Sequence, residues 1–250
     1  MIKIIEMYLT PFEDNRRIFI YLPDDYDYSD ERYPVTYMFD GQNLFDDNTA
    51  TFGTSWGLKD FLDNWDKKMI VVGIECASTG EQRAKEYLPF EVNTGIFGLV
   101  FGECEKTMQW IIRELKPYID SHYRTYLHRE ATAIAGSSFG GVAAAYGVYF
   151  HNDVFSKGGL LSPSLTCINK EVMRKIRNGN LNKDTRVYFS YGTAEASKKW
   201  CDYMAKLNYN IEQATNKAGY TTYLYRQEGG KHNEADWAKQ SDIWLNFLWK

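Results

Sequence analysis

No two of the four cysteines, Cys76, Cys104, Cys167 and Cys201, stand close together in this chain of 250 residues. Without a C-x-x-C pair, the usual spacing of a zinc site or a dense disulfide framework is missing, and free thiols in a reducing compartment fit better. Long apolar runs are scarce as well. The N-terminal stretch is broken by Lys3 and Glu6, so it carries no signal-peptide core, and no later stretch is long enough to cross a bilayer. Both observations predict a cytoplasmic protein with no membrane partner. Nor does one charge dominate: 29 Lys and Arg against 33 Asp and Glu leave −4. That balance gives no electrostatic reason to expect nucleic acid. Histidine is rare, with four residues in all, which narrows any search for a catalytic base.

Aromatic side chains, by contrast, are abundant: 19 Tyr, 14 Phe and 7 Trp make up 16% of the chain. Some must build the core, and so many also suggest a site able to stack flat or sugar-like ligands. The length suffices to bury a substantial core, and 44% hydrophobic with 25% charged residues is ordinary for a globular protein. Residues 4–9 and 17–22 read as an antiparallel hairpin at a sheet edge. From residue 35 onward strands alternate with helices. Strands are expected at 35–39, 69–75, 131–135, 158–161, 186–190 and 221–225. Helices are expected at 56–65, 103–118, 142–150, 168–176, 197–217 and 234–248, and residues 76–102 read as a long irregular segment. With no repeat, low-complexity tract or linker, this pattern predicts one α/β domain over residues 1–250, with a mainly parallel central sheet and helices on both faces.

The most informative stretch follows the strand at 131–135. Gly136-Ser137-Ser138-Phe139-Gly140 is a G-x-S-x-G between a small, apolar strand and an Ala-rich helix. Strand, sharp turn and helix form the context of a nucleophile elbow, in which the central serine takes a strained backbone conformation and its neighbours must be small. The helix start beside it offers free N–H groups. Ser138 is therefore the candidate nucleophile, against the plainer reading of a glycine-rich turn that only joins strand to helix.

A serine nucleophile needs a base, and the base needs a carboxylate to orient it. His122 and His128 precede the elbow strand, and His151 lies a helix length beyond it; each reads as a surface or packing residue. His232 follows the last strand, next to Gly229 and Gly230, at the sheet edge where ligands collect. It is the candidate base. The acid is expected between Ser138 and His232, at another strand end. Glu195 satisfies both conditions. Asp184 precedes its strand, Asp202 lies inside a helix and Glu228 shares the histidine's own loop, so these are weaker competitors.

The segments 33–46, 83–90, 114–120, 123–125, 136–141, 161–164, 192–195 and 229–233 carry a further signal. In their order and wording they resemble the esterase-D-like branch of the serine α/β hydrolases, which includes feruloyl and acetyl-xylan esterases, siderophore esterases and S-formylglutathione hydrolases. The resemblance implies an α/β-hydrolase fold. It also implies an oxyanion loop at Asp40-Gly41-Gln42-Asn43, with the backbone N–H groups of Gln42 and Phe139 holding the oxyanion.

The reading is a serine carboxylic-ester hydrolase working through an acyl-enzyme with Ser138, His232 and Glu195. The expected substrate is a small acylated sugar, an aromatic-acid ester or a similar small ester, with no metal or organic cofactor. An acyltransferase on the same machinery and a non-catalytic binding protein of the same fold stay open. Arg83, Tyr87 and Phe90, in the segment after a central strand, and Trp56 beyond the oxyanion loop are the expected walls of the pocket. Packing of these rings against the sheet is the plainer alternative.

Overall fold

The computed structural model of the protein describes residues 1–179 and 181–250. In chain order, β1 (Ile2–Leu9) and β2 (Asp14–Tyr21) form the expected antiparallel hairpin, with Ile2 opposite Tyr21 and Leu9 opposite Asp14. Next come β3 (Val35–Phe39), α1 (Leu58–Asp63) and β4 (Ile70–Ile74). Then follow α2 (Gly80–Tyr87), the short strands β5 (Glu91–Asn93) and β6 (Leu99–Phe101), α3 (Cys104–Trp110) and α4 (Lys116–His122). The second half runs through β7 (Thr132–Ser137), α5 (Phe139–Phe150), β8 (Lys157–Leu161) and α6 (Asn169–Arg177). It ends with β9 (Arg186–Gly192), α7 (Lys198–Lys217), β10 (Thr221–Gln227), α8 (Glu234–Ala238) and α9 (Ser241–Leu248).

Eight strands make one sheet in the order β1-β2-β4-β3-β7-β8-β9-β10. Pairing is antiparallel at β1–β2 and β2–β4 and parallel at every other junction. Alternate side chains of the central strands enter two separate cores, as the two-residue period of a strand requires. Val35, Tyr37, Val72, Ile134, Leu160 and Phe189 pack with Ala84 of α2, Met108 of α3, Ala144 of α5, Val172 of α6 and Ile211 of α7. Met38, Val71, Ala135, Leu161 and Tyr188 pack on the opposite face with Leu62 of α1, Trp237 of α8 and Trp244 of α9. Helices thus cover both faces. This explains why the central strands read as nearly unbroken apolar runs.

Three elements differ from the sequence expectation. The segment 76–102 is not irregular: Thr79 caps α2 by accepting from the Gln82 N–H at 3.2 Å, and the strands β5 and β6 pair across a turn with positive-φ Gly95 and Gly98. Three-residue strands are too short to show a two-residue period, so the pattern cannot reveal them. The helix expected at 103–118 continues to His122 through a π-helical stretch, Ile111–Leu115. There the Lys116 N–H reaches back five residues to the Ile111 carbonyl, immediately before Pro117, which has no N–H to give. The closing helix is two helices. Between them, Gln240 is buried, donating to Gln227 Oε1 at 2.6 Å and accepting from the Tyr188 hydroxyl at 3.0 Å. That side chain ties the break to β9 and β10.

Candidate active site

Ser138 sits between β7 and α5 with φ 56° and ψ −120°, a conformation that L-residues occupy only under constraint. The constraint is visible on every side. Its N–H donates to the Leu161 carbonyl of β8 at 3.1 Å, and its own carbonyl accepts from Val142 and Ser164, both at 3.2 Å. Strand and helix approach so closely that a Cβ on Gly136 would stand 2.6 Å from the Gly140 carbonyl carbon. Such strain costs on the order of 1–3 kcal/mol and persists because the surrounding packing over-determines it.

His232 and Glu195 come from the loops after β10 and β9. The two loops touch through glycines: a Cβ on Gly192 would stand 2.2 Å from the Gly230 carbonyl oxygen. Ala194 N–H donates to that same oxygen at 2.9 Å, and Thr193 N–H donates to the Gln227 carbonyl at 3.0 Å. The contact brings His232 Nδ1 to 3.0 Å from Glu195 Oε2. The other carboxylate oxygen accepts from the Ser162 hydroxyl at 2.6 Å and from the Gly192 N–H. Burial alone pushes the Glu195 carboxyl up. The hydrogen bonds from His232, Ser162 and Gly192 outweigh it and hold the group below its ordinary value. Glu195 is therefore an ionised acceptor, which assigns a proton to Nδ1 of His232.

Two residues behind this pair have no role in the sequence reading. The indole Nε1 of Trp237 donates to Ser162 Oγ at 2.9 Å, so tryptophan, serine and glutamate form a chain of hydrogen bonds ending at the imidazole. The same indole meets the His232 ring edge-on, with centroids 4.9 Å apart and planes at 81°. Ser162 is itself in the left-handed region at φ 44°. The one sequence signal for it is the Leu161-Ser162-Pro163-Ser164 stretch at the end of β8.

On the opposite side of Ser138, β3 ends in a 3-10 turn, Gly41–Asn43, entered through Asp40 in the left-handed conformation (φ 58°). The first hydrogen bond of that turn runs from the Asn43 N–H to the Asp40 carbonyl. In such a turn the Gln42 N–H has no acceptor of its own, and neither has that of Phe139, the first residue of α5. Asp40 is held by a bidentate ion pair with Arg83, at 2.7 and 2.8 Å. Burial alone would lower the Arg83 pKa, but Asp40 raises it, so the guanidinium stays charged. The Gln42 amide is anchored too, donating to Thr51 Oγ1 at 3.1 Å and accepting from the Cys76 N–H at 3.2 Å. Asn43 donates to buried Glu234 at 3.1 Å, whose carboxyl is pushed up chiefly by burial.

All of these groups face one cavity of about 1480 Å³. Ser138, Phe139, Gln42, Glu195 and His232 line it, and of the four residues expected as its walls only Arg83 does. The other three are corrected by the structure. Tyr87 is buried at 1% exposure, packs edge-on against Phe39 and accepts the Asp40 N–H at 3.2 Å, supporting the turn after β3 from behind. Trp56 is buried against Trp237, and its backbone N–H donates to the Asn43 carbonyl at 2.9 Å. Phe90 packs edge-on against Tyr146 of α5. The side chains that do form the mouth are Phe52, Ile96, Phe97, Trp200, Tyr203 and Met204. Ile96 and Phe97 come from the segment after the central strand that also supplies Arg83, whereas Trp200, Tyr203 and Met204 come from α7, which the sequence reading did not associate with the site. Phe97 lies over the start of α2, with its Cζ 2.7 Å from where a Cβ on Gly80 would be.

The competing residues lie elsewhere. His122 stacks on Tyr118, His128 stacks on Tyr126, and His151 pairs with Glu105 at 2.9 Å. Asp184 pairs with Arg129, and Glu228 pairs with Arg226 at 2.8 Å. Asp202 belongs to α7, an exposed residue near its start. The Cys76 thiol does line the cavity, but burial, reinforced by Asp40, pushes its pKa up to about 12, so it is not a rival thiolate nucleophile. Among the described residues no group of three or more His, Cys, Asp or Glu side chains is placed to hold a metal ion, and no helix is long and apolar enough to cross a membrane.

Known proteins place this chain in a family. Residues 10–241 match the family model described as Putative esterase, and the chain belongs to that family. It is 24% identical over 243 residues to the uncharacterized protein YbbA of Bacillus subtilis (strain 168), covering 94% of this chain and 93% of that one. The BES protein from Bacillus cereus superposes with a TM-score of 0.79 at 19% identity, over 99% of this chain and 94% of its own. An IroE-like serine hydrolase from Shewanella oneidensis superposes with a TM-score of 0.76 at 20% identity, over 99% of this chain and 79% of its own. The fold is that of the α/β hydrolases, and the protein is an esterase.

Proposed function

We propose that this member of the esterase family hydrolyses small carboxylic esters through an acyl-enzyme on Ser138, with His232 as base and Glu195 as its orienting acid. Ser138 Oγ attacks the ester carbonyl while its proton passes to Nε2 of His232, and Glu195 stabilises the imidazolium that forms. The oxyanion of the tetrahedral intermediate accepts from the Gln42 and Phe139 N–H groups, each donor contributing a few kcal/mol (~3) to the transition state. Collapse breaks the bond to the alcohol oxygen, which takes the proton from His232. Water then attacks the acyl carbonyl, gives its proton to His232, and Ser138 leaves with that proton returned.

The observation that carries this reading is the Glu195–His232 pair, 3.0 Å apart, on the same cavity wall as a serine held at φ 56°. The IroE-like neighbour is described as a serine hydrolase, which supports the nucleophile. Substrates of the expected kind are acylated sugars and aromatic-acid esters, and the four free cysteines support a cytoplasmic setting. A fluorophosphonate probe tests the reading: it should label Ser138 and block hydrolysis of a panel of p-nitrophenyl, feruloyl and acetyl-sugar esters. Labelling elsewhere, or hydrolysis that survives full labelling, would reject it. Adding an acceptor alcohol to the same assay separates hydrolysis from acyl transfer.

A further inference from the structure

Both arginines that reach the cavity are already occupied by carboxylates of the same wall. Arg17 donates from Nε to Glu75 Oε1 at 3.0 Å and from Nη2 to the same oxygen, while its backbone N–H donates to Oε2 at 3.0 Å. Arg83 gives Nε and Nη2 to Asp40, and its guanidinium lies 5.0 Å from the Tyr87 ring and 5.8 Å from the Phe139 ring. Among the described residues no lysine lines the cavity. Two further carboxyl groups, Glu195 and Glu234, remain on the wall, one bonded to His232 and the other to Asn43. Four carboxyl groups therefore face two neutralised guanidinium groups, and the local charge is negative or, with Glu234 protonated, still not positive.

The rest of the wall is broad and apolar. Phe52, Ile96 and Trp200 are 79%, 77% and 47% exposed at the mouth, on three separate elements, with Phe97, Tyr203 and Met204 beside them. Aromatic and aliphatic side chains left bare around a concave site favour an apolar ligand, whereas an anion entering there would leave water and find no unpaired cation. The cavity of about 1480 Å³ also exceeds what a short acyl chain fills.

We infer that the ester taken by this cavity is uncharged and carries bulky apolar or aromatic parts, and that esters bearing a carboxylate, sulfate or phosphate are turned away. This deepens the proposed function and rests on it for the position of the scissile bond. The selectivity comes from internal pairing: each arginine would attract an anion if its own carboxylate were removed.

The test compares 4-nitrophenyl methyl adipate with 4-nitrophenyl hydrogen adipate, which differ by one methyl group and one negative charge. The neutral ester should have a kcat/KM at least about tenfold higher. In Glu75→Gln, which releases Arg17, that ratio should narrow by about threefold or more. Equal kcat/KM values for the two esters would overturn the inference, and a ratio unmoved by Glu75→Gln would overturn the role given to the paired arginine. Binding of both esters to Ser138→Ala, followed calorimetrically, reads the same preference without turnover. If that variant binds the neutral ester better while the wild type cleaves neither, the hydrolase reading fails and the charge preference stands.

Discussion

The floor of the cavity and its mouth are built on opposite terms. On the floor, Glu195 accepts three hydrogen bonds, Asp40 is clamped by both nitrogens of one arginine edge, and Gly192 meets Gly230 too closely to admit a methyl group. At the mouth, Phe52, Ile96 and Trp200 stand largely in solvent on a loop, a hairpin and the first turn of a helix. Groups proposed to move protons must hold their geometry to fractions of an ångström, and these hydrogen bonds supply that. Groups that recognise apolar surface need area more than angle. The proposed chemistry is thus vested in the sheet edge, and the proposed selectivity in what is attached above it.

Substitutions can break this contrast, and the largest effect is expected at the nucleophile. Ser138→Ala should lower kcat by roughly 10³-fold or more with the fold retained, and Ser137→Ala should cost far less. Single-turnover assays with circular dichroism of both variants check it; the reverse ranking would relocate the nucleophile. Next in size is the acid. Glu195→Gln should reduce kcat by about 10²-fold or more, while Glu228→Gln, whose carboxylate faces Arg226 instead, should stay within about twofold.

The same carboxylate makes a prediction about pH. Because the Glu195 pKa is held below its unfolded value, the stabilisation it contributes is present above the ordinary carboxyl range near ~4.3 and is lost as pH falls through the depressed folded value. The difference in denaturation midpoint between wild type and Glu195→Gln should therefore be larger at pH 7 than at pH 3. A difference independent of pH would mean the folded carboxyl is not depressed. Trp237→Phe should act more mildly, since it keeps the ring against His232 and removes only the donor to Ser162. A fall in kcat of about threefold to tenfold with KM little changed is expected. If KM moves and kcat does not, Trp237 belongs to binding instead.

The smallest effect sharpens the contrast. Trp200→Ala should reorder a panel of aromatic and aliphatic esters through KM and leave the melting temperature nearly unchanged. Tyr87→Ala, by removing a buried ring, should cost about 3–5 kcal/mol of stability. Calorimetric melting of the two variants decides between these roles.

The floor was legible in the sequence where function demands a local backbone shape. A serine elbow needs small neighbours in fixed positions, and the glycine pair before His232 marks a loop at a strand end; both are written within a few residues. Glu195 could be picked from its position after β9. Ser162 and Trp237 could not, because their contact joins residues 75 positions apart and follows no short pattern. Tyr87 misled for a different reason. Read in an irregular segment, it is an aromatic near the sheet edge; read in α2, it stands four residues after Arg83, on the same helix face, beneath the guanidinium. The helical period, visible from the Thr79 cap onward, was the signal that could have turned it inward. The mouth was legible only in part: the segment 76–102, which holds the hairpin, was expected to wall the pocket, but only the tertiary fold brings α7 beside it.

The ring of Phe97 occupies the space that any side chain at position 80 would need. The seat of this cavity-lining ring is accordingly left by a missing methyl group. A single carbon added there would push the tip of that ring aside and reshape this part of the cavity lining. The range of esters admitted could then drift while the machinery that cuts them stayed as it was.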